Sequence, residues 1–588
     1  MTLDPRTPRI HPAGDAALVV EVGESISPQV RDHVRSWNRA IAETGVPGLV
    51  ETVPSYCSVL VVFDPLVTDF DALTPVLSAL RPPRGAGGSG RVVEVPVRYG
   101  GAEGPDLAGV AQRLGLSEDE VVALHSGAEY PVYMLGFMPG FAYLGGLPDR
   151  LRIPRLSTPR ARVPRGSVAL AGEQTGVYPL ETPGGWHLIG RTPVSLWNPQ
   201  SEDPFLIGPN AVVRFVPIGA GEYARLDRAR EDEETAAAAD RAPAGGTGGP
   251  AAALATVQVL EPGLFTTVQD LGRSGFGAFG LTTSGAADAF AHRVANRLVG
   301  NADGRATLEV TAAGPRLRFL RGAEFAVTGA EFELSLDGEP VPGRTVIRAE
   351  EGQELRFGRL GRGFRAYLAL AGGVDVPPVM GSRSTLHRAG LGGFGGRPLR
   401  RGDVLSAGAV AAWAGSDGPA PLGTAPREWF GYLDECVVRV VPGPQDYLFA
   451  GLEPLFAGEY RVKPDSDRMG VRLDGPVLQA PGGHDIISDG IALGSVQVPA
   501  DGHPIVMLAD HHTAGGYPKP ATVITGDLRV LAQKKPGEKA RFAAVGAGEG
   551  ARVRREQESL FGPVDASVLR WSGRGKSFVA SVRKLDDR

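Results

Sequence analysis

The sequence predicts a mainly β protein with α+β parts, divided into several domains. Three observations carry that reading. At 588 residues the chain is too long for one hydrophobic core, and about 150 residues per domain gives about four. Glycine and proline are abundant, at 82 and 49 residues, a level that stops short of disorder and suits many turns joining short strands. Finally, Thr182-Pro183-Gly184-Gly185-Trp186-His187 is echoed downstream by Thr513-Ala514-Gly515-Gly516-Tyr517, and each copy follows a Gly-Ser-Val, at Gly166-Ser167-Val168 and Gly494-Ser495-Val496. Two related β-rich modules are the simplest account. A glycine pair before an aromatic ring lets backbone pass close to a ligand or strand, because glycine lacks Cβ and reaches positive φ.

The elements follow in order. Residues 1–85 read as a small α/β unit: 17–22 and 58–63 have strand composition, and 28–42 and 69–80 carry apolar residues at helical spacing. A Pro/Gly-rich break at 81–90 leads into the first β-rich module, 86–224. Residues 225–253, charged and alanine-rich and then glycine-rich, lack core-forming side chains and read as a linker. The second half divides near 414–426 into a β-rich part, 254–425, with an apolar helix at 286–298, and a last part, 426–588. Strands are expected there at 437–441, 505–508 and 522–524.

Composition excludes several classes. A formal net charge of −5 gives no footprint for a polyanion, so nucleic acid is not an expected partner. With only Cys57 and Cys436, the chain builds neither a disulfide framework nor a cysteine zinc site, which fits a reducing cytoplasm. Neither a leader-like N-terminus nor a membrane-spanning apolar run of about 18 residues is present. A cytoplasmic protein acting on a small molecule is expected.

Two apparent nucleotide motifs fail on inspection. Gly275-Phe276-Gly277-Ala278-Phe279-Gly280 has dinucleotide-fingerprint spacing, but Leu281 to Gly285 separate it from the helix it would have to open. Gly575-Lys576-Ser577 lacks the first glycine of a phosphate loop, since Arg570 stands there. His511 and His512 point to opposite faces of an extended segment and so make a poor chelating pair. Asp510 beside a glycine turn and Lys519 suggests a carboxylate for Mg²⁺ and an ammonium for phosphate, with Gly515 and Gly516 offering backbone N–H groups. Arg152, Arg155, Arg160, Arg162 and Arg165, interleaved with Pro154, Pro159 and Pro164, present several guanidinium forks of the kind that bind carboxylate or phosphate. Gly381-Ser382-Arg383-Ser384-Thr385 is a further donor-rich loop.

Taken together, long blocks resemble a known pair of families. Gly136-Phe137-Met138-Pro139-Gly140-Phe141, Pro159 to Val168 and Thr182 to Pro193 resemble allophanate hydrolase subunit 1, also called the 5-oxoprolinase B subunit. Gly263 to Arg273, Ala295 to Asn301, Gly381 to Thr385, Asp467-Arg468-Met469-Gly470 and Thr513 to Lys519 resemble the companion subunit 2, or 5-oxoprolinase C subunit. The resemblance spans nearly the whole chain and implies a natural fusion with tandem cyclophilin-like β-barrels.

The resemblance also implies a function: an ATP- and Mg-dependent 5-oxoprolinase component, working with the LamB/YcsF-like 5-oxoprolinase A subunit. By motif position, Asp270, Arg273, Asp510 and Lys519 are the implied catalytic residues, with Asp510 or Asp270 on Mg²⁺ and Lys519 and Arg273 on phosphate. Arg160, Arg165, His187, Ser384, Arg468 and Tyr517 are the implied substrate contacts, and Gly515, Gly516 and Lys519 the nucleotide contacts. Relatives also include the carboxyltransferase region of biotin-dependent urea carboxylase and a kinase-inhibitor pair, so carboxyl transfer and a non-catalytic binding role remain open. None of the six methionines has a neighbouring lysine, so covalent biotin on this chain is not expected. The Ser-Ser-Lys set of amidase-signature hydrolases has no counterpart. A homo-oligomer is compatible with the sequence.

Overall fold

The computed structural model describes residues 8–83, 90–241, 255–409 and 424–561, with backbone strands at 569–572 and 576–579. The glycine-rich stretches at 84–89, 244–250 and 414–423, where breaks between domains are expected, lie outside these residues, as does Gly575.

The N-terminal unit is a four-stranded antiparallel sheet in the order Arg9–Pro12, Ala17–Glu21, Ser58–Phe63, Leu49–Pro54. Strand alternation splits its two faces. Leu18, Val20, Val59 and Val61 pack with Val34, Trp37 and Ile41 of helix Pro28–Ala42 and with Leu73 and Leu77 of helix Phe70–Ala79. Ala17, Val19, Val53 and Leu60 point the other way and bury against Ala492 of the C-terminal half. The first helix starts where its sequence says it must: Ser27 Oγ accepts from Val30 N at 3.2 Å, and Pro28 occupies a position whose N–H would have no helical partner.

The tandem barrels implied by the resemblance are present. The first closes seven strands between Val92–Tyr99 and Val212–Pro217, and the second seven between Val437–Pro442 and Lys539–Ala544. In both, the first and last strands pair in parallel, with Val92 opposite Val212 and Val437 opposite Arg541. Each Gly-Ser-Val opens a barrel strand, Ser167–Ala171 and Ser495–Gln497. The glycines ahead of them, Gly166 and Gly494, have φ of +76° and +87°, and a Cβ would lie 2.3 Å from the Thr192 carbonyl oxygen and 2.7 Å from that of Val523. The double-glycine turns also correspond, each contributing to a two-stranded ribbon outside its barrel: Thr182–Gly184 with Arg160–Val163, and Ala514–Gly515 with Asp489–Gly490. Of the two properties of glycine, these pairs do not use positive φ, which none of Gly184, Gly185, Gly515 and Gly516 adopts. Space explains two of them: a Cβ on Gly184 would meet the Tyr178 hydroxyl at 2.6 Å, and one on Gly515 would meet Ile491 at 2.9 Å.

Between the barrels, strands from Ala255–Glu261 to Val404–Ala407 supply all seven strands of one sheet and five of the seven of another, around a common core. One sheet also takes in Leu569–Ser572, parallel to Val346–Ala349, and Lys576–Val579, so these late strands belong to the middle of the molecule. Helix Ala289–Leu298 lies between sandwich and second barrel, burying Phe290, Val294 and Leu298 in a core shared with Phe430, Val438 and Val440. The expected linker is helical over Ala220–Arg241, and Glu234 of that helix pairs with Arg165. Among the described residues no helix is long and apolar enough to cross a membrane.

The halves interlock through polar contacts, from part-buried to exposed. Asp15 accepts from Thr525 N and Oγ1, both at 2.8 Å, and Glu51 accepts from Gly275 N and Gly277 N at 3.0 Å. Cleavage at a protease site introduced within 242–254 should therefore leave two pieces that co-elute in gel filtration. Separate peaks would show that the interlock does not hold without the covalent link.

Candidate active site

A cleft of about 170 Å³ opens where the two barrels and the sandwich meet. The first barrel supplies Phe137-Met138-Pro139 and Leu180 to Pro183; the sandwich supplies Gly280, Thr282, Leu386, Arg388 and Ala389; the second barrel supplies Met469, Asp510, His511 and His512. Three non-glycine residues with φ in the left-handed region border this part of the molecule: Phe137 at +69°, Ser284 at +56° and Met380 at +52°. Such conformations cost of order 1–3 kcal/mol each and persist only where neighbours enforce them. Gly280 has φ of +80°, and a Cβ there would sit 2.5 Å from the Met138 carbonyl oxygen, so the sandwich loop fits against the first barrel only with glycine.

The cleft floor is a buried charge network. Asp510 receives Arg468 Nε and Nη2, both at 2.9 Å, and Ser284 Oγ at 2.8 Å. Arg468 also reaches Glu309 Oε1 at 2.5 Å and the Gly285 carbonyl at 2.6 Å, while Glu309 accepts from Tyr367 OH at 2.8 Å and Ala287 N at 2.9 Å. Burial opposes charge on Arg468, but Asp510 and Glu309 outweigh it and raise its pKa. For Glu309, burial favours the acid, yet Arg468 and Arg365 hold the carboxyl below its usual range.

A second cluster lies in the sandwich. Asp270 Oδ1 accepts from Ser382 Oγ at 2.7 Å, Ser384 Oγ at 2.5 Å and Gly272 N at 2.8 Å, and Oδ2 from Arg383 N at 2.5 Å. Arg273 is 2% exposed, and its Nη2 donates to the Ser384 carbonyl at 2.5 Å. Its Nε and Nη1 make no hydrogen bond among the described residues. Burial lowers its pKa, with Asp270 and Asp510 opposing. Buried donors left open in this way mark a place for an anion or water.

Comparison with known proteins places the two halves in related families. Residues 8–207 match the family model "Carboxyltransferase domain, subdomain C and D", and residues 279–544 match "Carboxyltransferase domain, subdomain A and B". The first half is 44% identical over 214 residues to the 5-oxoprolinase B subunit of Escherichia coli O157:H7, covering 36% of this chain and 97% of that one. The second is 37% identical over 307 residues to the 5-oxoprolinase C subunit of Escherichia coli strain K12, covering 52% of this chain and 96% of that one. The chain belongs to the family of 5-oxoprolinase B and C subunits. It carries a B-like and a C-like half in one polypeptide. The crystal structure of TTHA0988 is 38% identical and superposes with a TM-score of 0.75, covering 90% of this chain and 99% of that one. A putative urea carboxylase of Emericella nidulans is 33% identical over 326 residues, 53% of this chain and 26% of that one.

The structure brings some of the sequence-predicted residues together and separates others. Asp510 and Arg468, both from the C-like half, form the cleft floor, and Asp270, Arg273 and Ser384 share the second cluster. Lys519 does not join Asp510. It is 1% exposed and lies 3.4 Å from Asp489 Oδ2, beneath a different cleft between the N-terminal unit and the second barrel. Asp489 also accepts from Ser58 Oγ, from Ser55 Oγ at 3.2 Å and from Gln445 Nε2 at 3.0 Å. Burial raises its pKa, but Lys519 and these donors prevail and lower it. Gly515 and Gly516 line the ribbon opposite Asp489 and Ile486, and Tyr517 is 40% exposed. The guanidinium row is corrected too: Arg160 pairs with Asp106 at 2.6 Å, Arg165 with Glu234, Arg162 with Glu181 at 2.7 Å and Arg152 with Asp149 at 2.8 Å. His187 Nε2 is 2.9 Å from the Pro154 carbonyl oxygen and braces that segment.

Mg²⁺ does not fit the residues expected to hold it. Asp510 faces an arginine, Asp270 is enclosed by four donors, and no group of three or more His, Cys, Asp or Glu suited to a metal exists among the described residues.

His512 is a cleft residue that the sequence considers only as a metal ligand. Its Nδ1 lies 2.6 Å from the Phe137 carbonyl oxygen, and its ring stacks on Phe137 with centroids 4.8 Å apart. Burial lowers its pKa from 6.5 to about 4. The neutral ring's contribution to stability is complete above about pH 6.5 and is lost as pH falls toward 4, an effect of up to roughly 3 kcal/mol. Thermal unfolding of the wild type between pH 7 and 4 should fall more steeply than that of His512→Asn. In a second measurement, Asp510→Asn should cost about 3–5 kcal/mol in denaturant unfolding, because it leaves Arg468 buried with half of its neutralising charge. A loss under 1 kcal/mol would reduce the network to an ordinary surface pair.

Proposed function

We propose that the chain is the fused B and C component of an ATP-dependent 5-oxoprolinase, opening the lactam of 5-oxoproline to glutamate with a LamB/YcsF-like A subunit. The observation that carries this reading is the cleft. Both halves match 5-oxoprolinase subunits over nearly the full length of those subunits, and the cleft takes its walls from both halves at once.

A lactam carbonyl is a weak electrophile, and ATP supplies the phosphoryl group that activates its oxygen. The chain's own residues then have distinct tasks. Arg273 is the residue assigned to an anionic group, because its buried Nε and Nη1 have no hydrogen-bond partner among the described residues and such donors have most effect where water is excluded. Ser384 and Asp270 hold the Arg273 loop, and Arg468 keeps Asp510 and Ser284 fixed at the cleft floor. The hydroxyls of both clusters, Ser284 and Ser384, rest on carboxylates that arginine or backbone donors already hold, and on this reading turnover needs the partner subunit.

Likeness to urea carboxylase supports a second reading, carboxyl transfer from a separate biotin carrier in the same cleft. The two readings differ in what they consume. Purified chain plus the A subunit and Mg-ATP should release glutamate and phosphate in equal amounts from 5-oxoproline, and the chain alone should release neither. Steady hydrolysis by the chain alone would overturn partner dependence, and turnover only with a carboxylated biotin carrier would favour the second reading. Arg273→Met should lower turnover on the order of a hundredfold in a folded protein, as loss of a single transition-state donor does elsewhere. Wild-type turnover would remove Arg273 from the site.

A further inference from the structure

We infer that His512 is the acceptor in the cleft that recognises the N–H of a secondary amide, its Nε2 receiving the lactam N–H of the substrate. The inference rests on the 5-oxoprolinase reading for the substrate's identity, but on geometry alone for the acceptor. A carbonyl oxygen can only accept, so the 2.6 Å contact between Nδ1 and the Phe137 oxygen places the ring's proton on Nδ1. A neutral ring in that tautomer carries its lone pair on Nε2. Nε2 makes no hydrogen bond to any described residue, and His512 lines the cleft.

The ring is held rather than merely placed. Phe137 stacks on it with planes 27° apart. Phe137 itself keeps its left-handed conformation inside a tight loop, in which Met138 N donates to the Gly136 oxygen at 2.8 Å and Gly136 N to the Phe141 oxygen at 3.1 Å. One half thus sets the tautomer and orientation of a histidine contributed by the other. His511 takes no part in this: its Nδ1 is 2.6 Å from the His512 carbonyl oxygen and steadies the peptide between them.

The surroundings favour a compact neutral donor. Met138, Pro139, Leu386, Ala389 and Met469 give the cleft apolar walls, and about 170 Å³ suits a small heterocycle. A carboxylate facing Nε2 would meet lone pair with lone pair, whereas an amide N–H meets it favourably. A site built to bond an N–H rejects an analogue lacking it, because the buried acceptor is then left unpaired.

The test uses the full chain with the A subunit and two substitutions that divide the two ring nitrogens. His512→Asn keeps a donor for the Phe137 oxygen and loses the Nε2 position; His512→Gln restores an acceptor near Nε2. Expected are a loss of about tenfold or more in kcat/KM for His512→Asn with unchanged unfolding at pH 7, and substantial recovery in His512→Gln. N-methylated 5-oxoproline should be discriminated against by the wild type and by His512→Gln, and much less by His512→Asn. Full activity or undiminished discrimination in His512→Asn overturns the inference. A parallel ¹⁵N NMR titration of the His512 ring needs no turnover: the Nε2 resonance must move with 5-oxoproline or a cyclic urea, and not with N-methyl-5-oxoproline or the N,N′-dimethylated urea. If the wild-type complex fails to turn over 5-oxoproline, the functional reading falls while the titration still judges His512; an unmoved Nε2 resonance rejects the acceptor role outright.

Discussion

The structure around the cleft depends on one buried cation. Arg468 joins Asp510 of the second barrel to Glu309 of the sandwich and also holds the Gly285 carbonyl. A guanidinium placed there without both carboxylates would face a desolvation cost of several kcal/mol. The network is therefore all or nothing. With it in place, Ser284 is held to Asp510 despite its left-handed backbone, and the loop carrying Thr282 and Gly280 is delivered against the first barrel. The rigid planar fork, donating to three acceptors in fixed directions, explains why lysine would not substitute.

Local structure is legible in the sequence wherever the signal is local. Helix Pro28–Ala42 and strand Ser58–Phe63 stand where apolar spacing and strand composition put them. The Gly-Ser-Val echo marks real correspondences, because both glycines occupy left-handed positions packed against a carbonyl. Long-range pairing is not legible. Nothing local in Val92–Tyr99 announces a parallel partner more than a hundred residues away at Val212–Pro217, and Leu569–Ser572 gives no sign that it returns to Val346–Ala349. The expected linker shows the converse: a sequence with no core-forming face still forms a helix, Ala220–Arg241, since charged and alanine residues favour helix without burial.

The site is legible in part for the same reason. Asp510, Arg468, Asp270, Arg273 and Ser384 sit in motifs, and motifs survive folding. Spacing groups Lys519 with Asp510, nine positions away, but the chain crosses from the cleft into the Ala514–Gly515 ribbon in that interval and hands Lys519 to Asp489. Asp489 in turn is bonded by Ser55 and Ser58 of the opposite half, a relation that no spacing encodes. The arginine row misleads through composition. Its forks look open in the sequence, and the folded chain brings Asp106, Glu181 and Glu234 to three of them.

These contacts also say what a covalent fusion offers such a fold. The B-like half stabilises groups of the C-like half through contacts that only it supplies: Phe137 orients His512, Ser55 and Ser58 bond Asp489, and Glu51 caps the Gly275–Gly277 turn. In a two-chain arrangement each of these groups would wait, buried or strained, on association. Joining the halves turns that association into an intramolecular event at an effective concentration in about the millimolar range for a short link. Strained residues such as Phe137 and Ser284 are then held by neighbours that cannot diffuse away. The cleft's geometry is accordingly a property of the pair of halves, and neither half alone contains the full set of constraints that produces it.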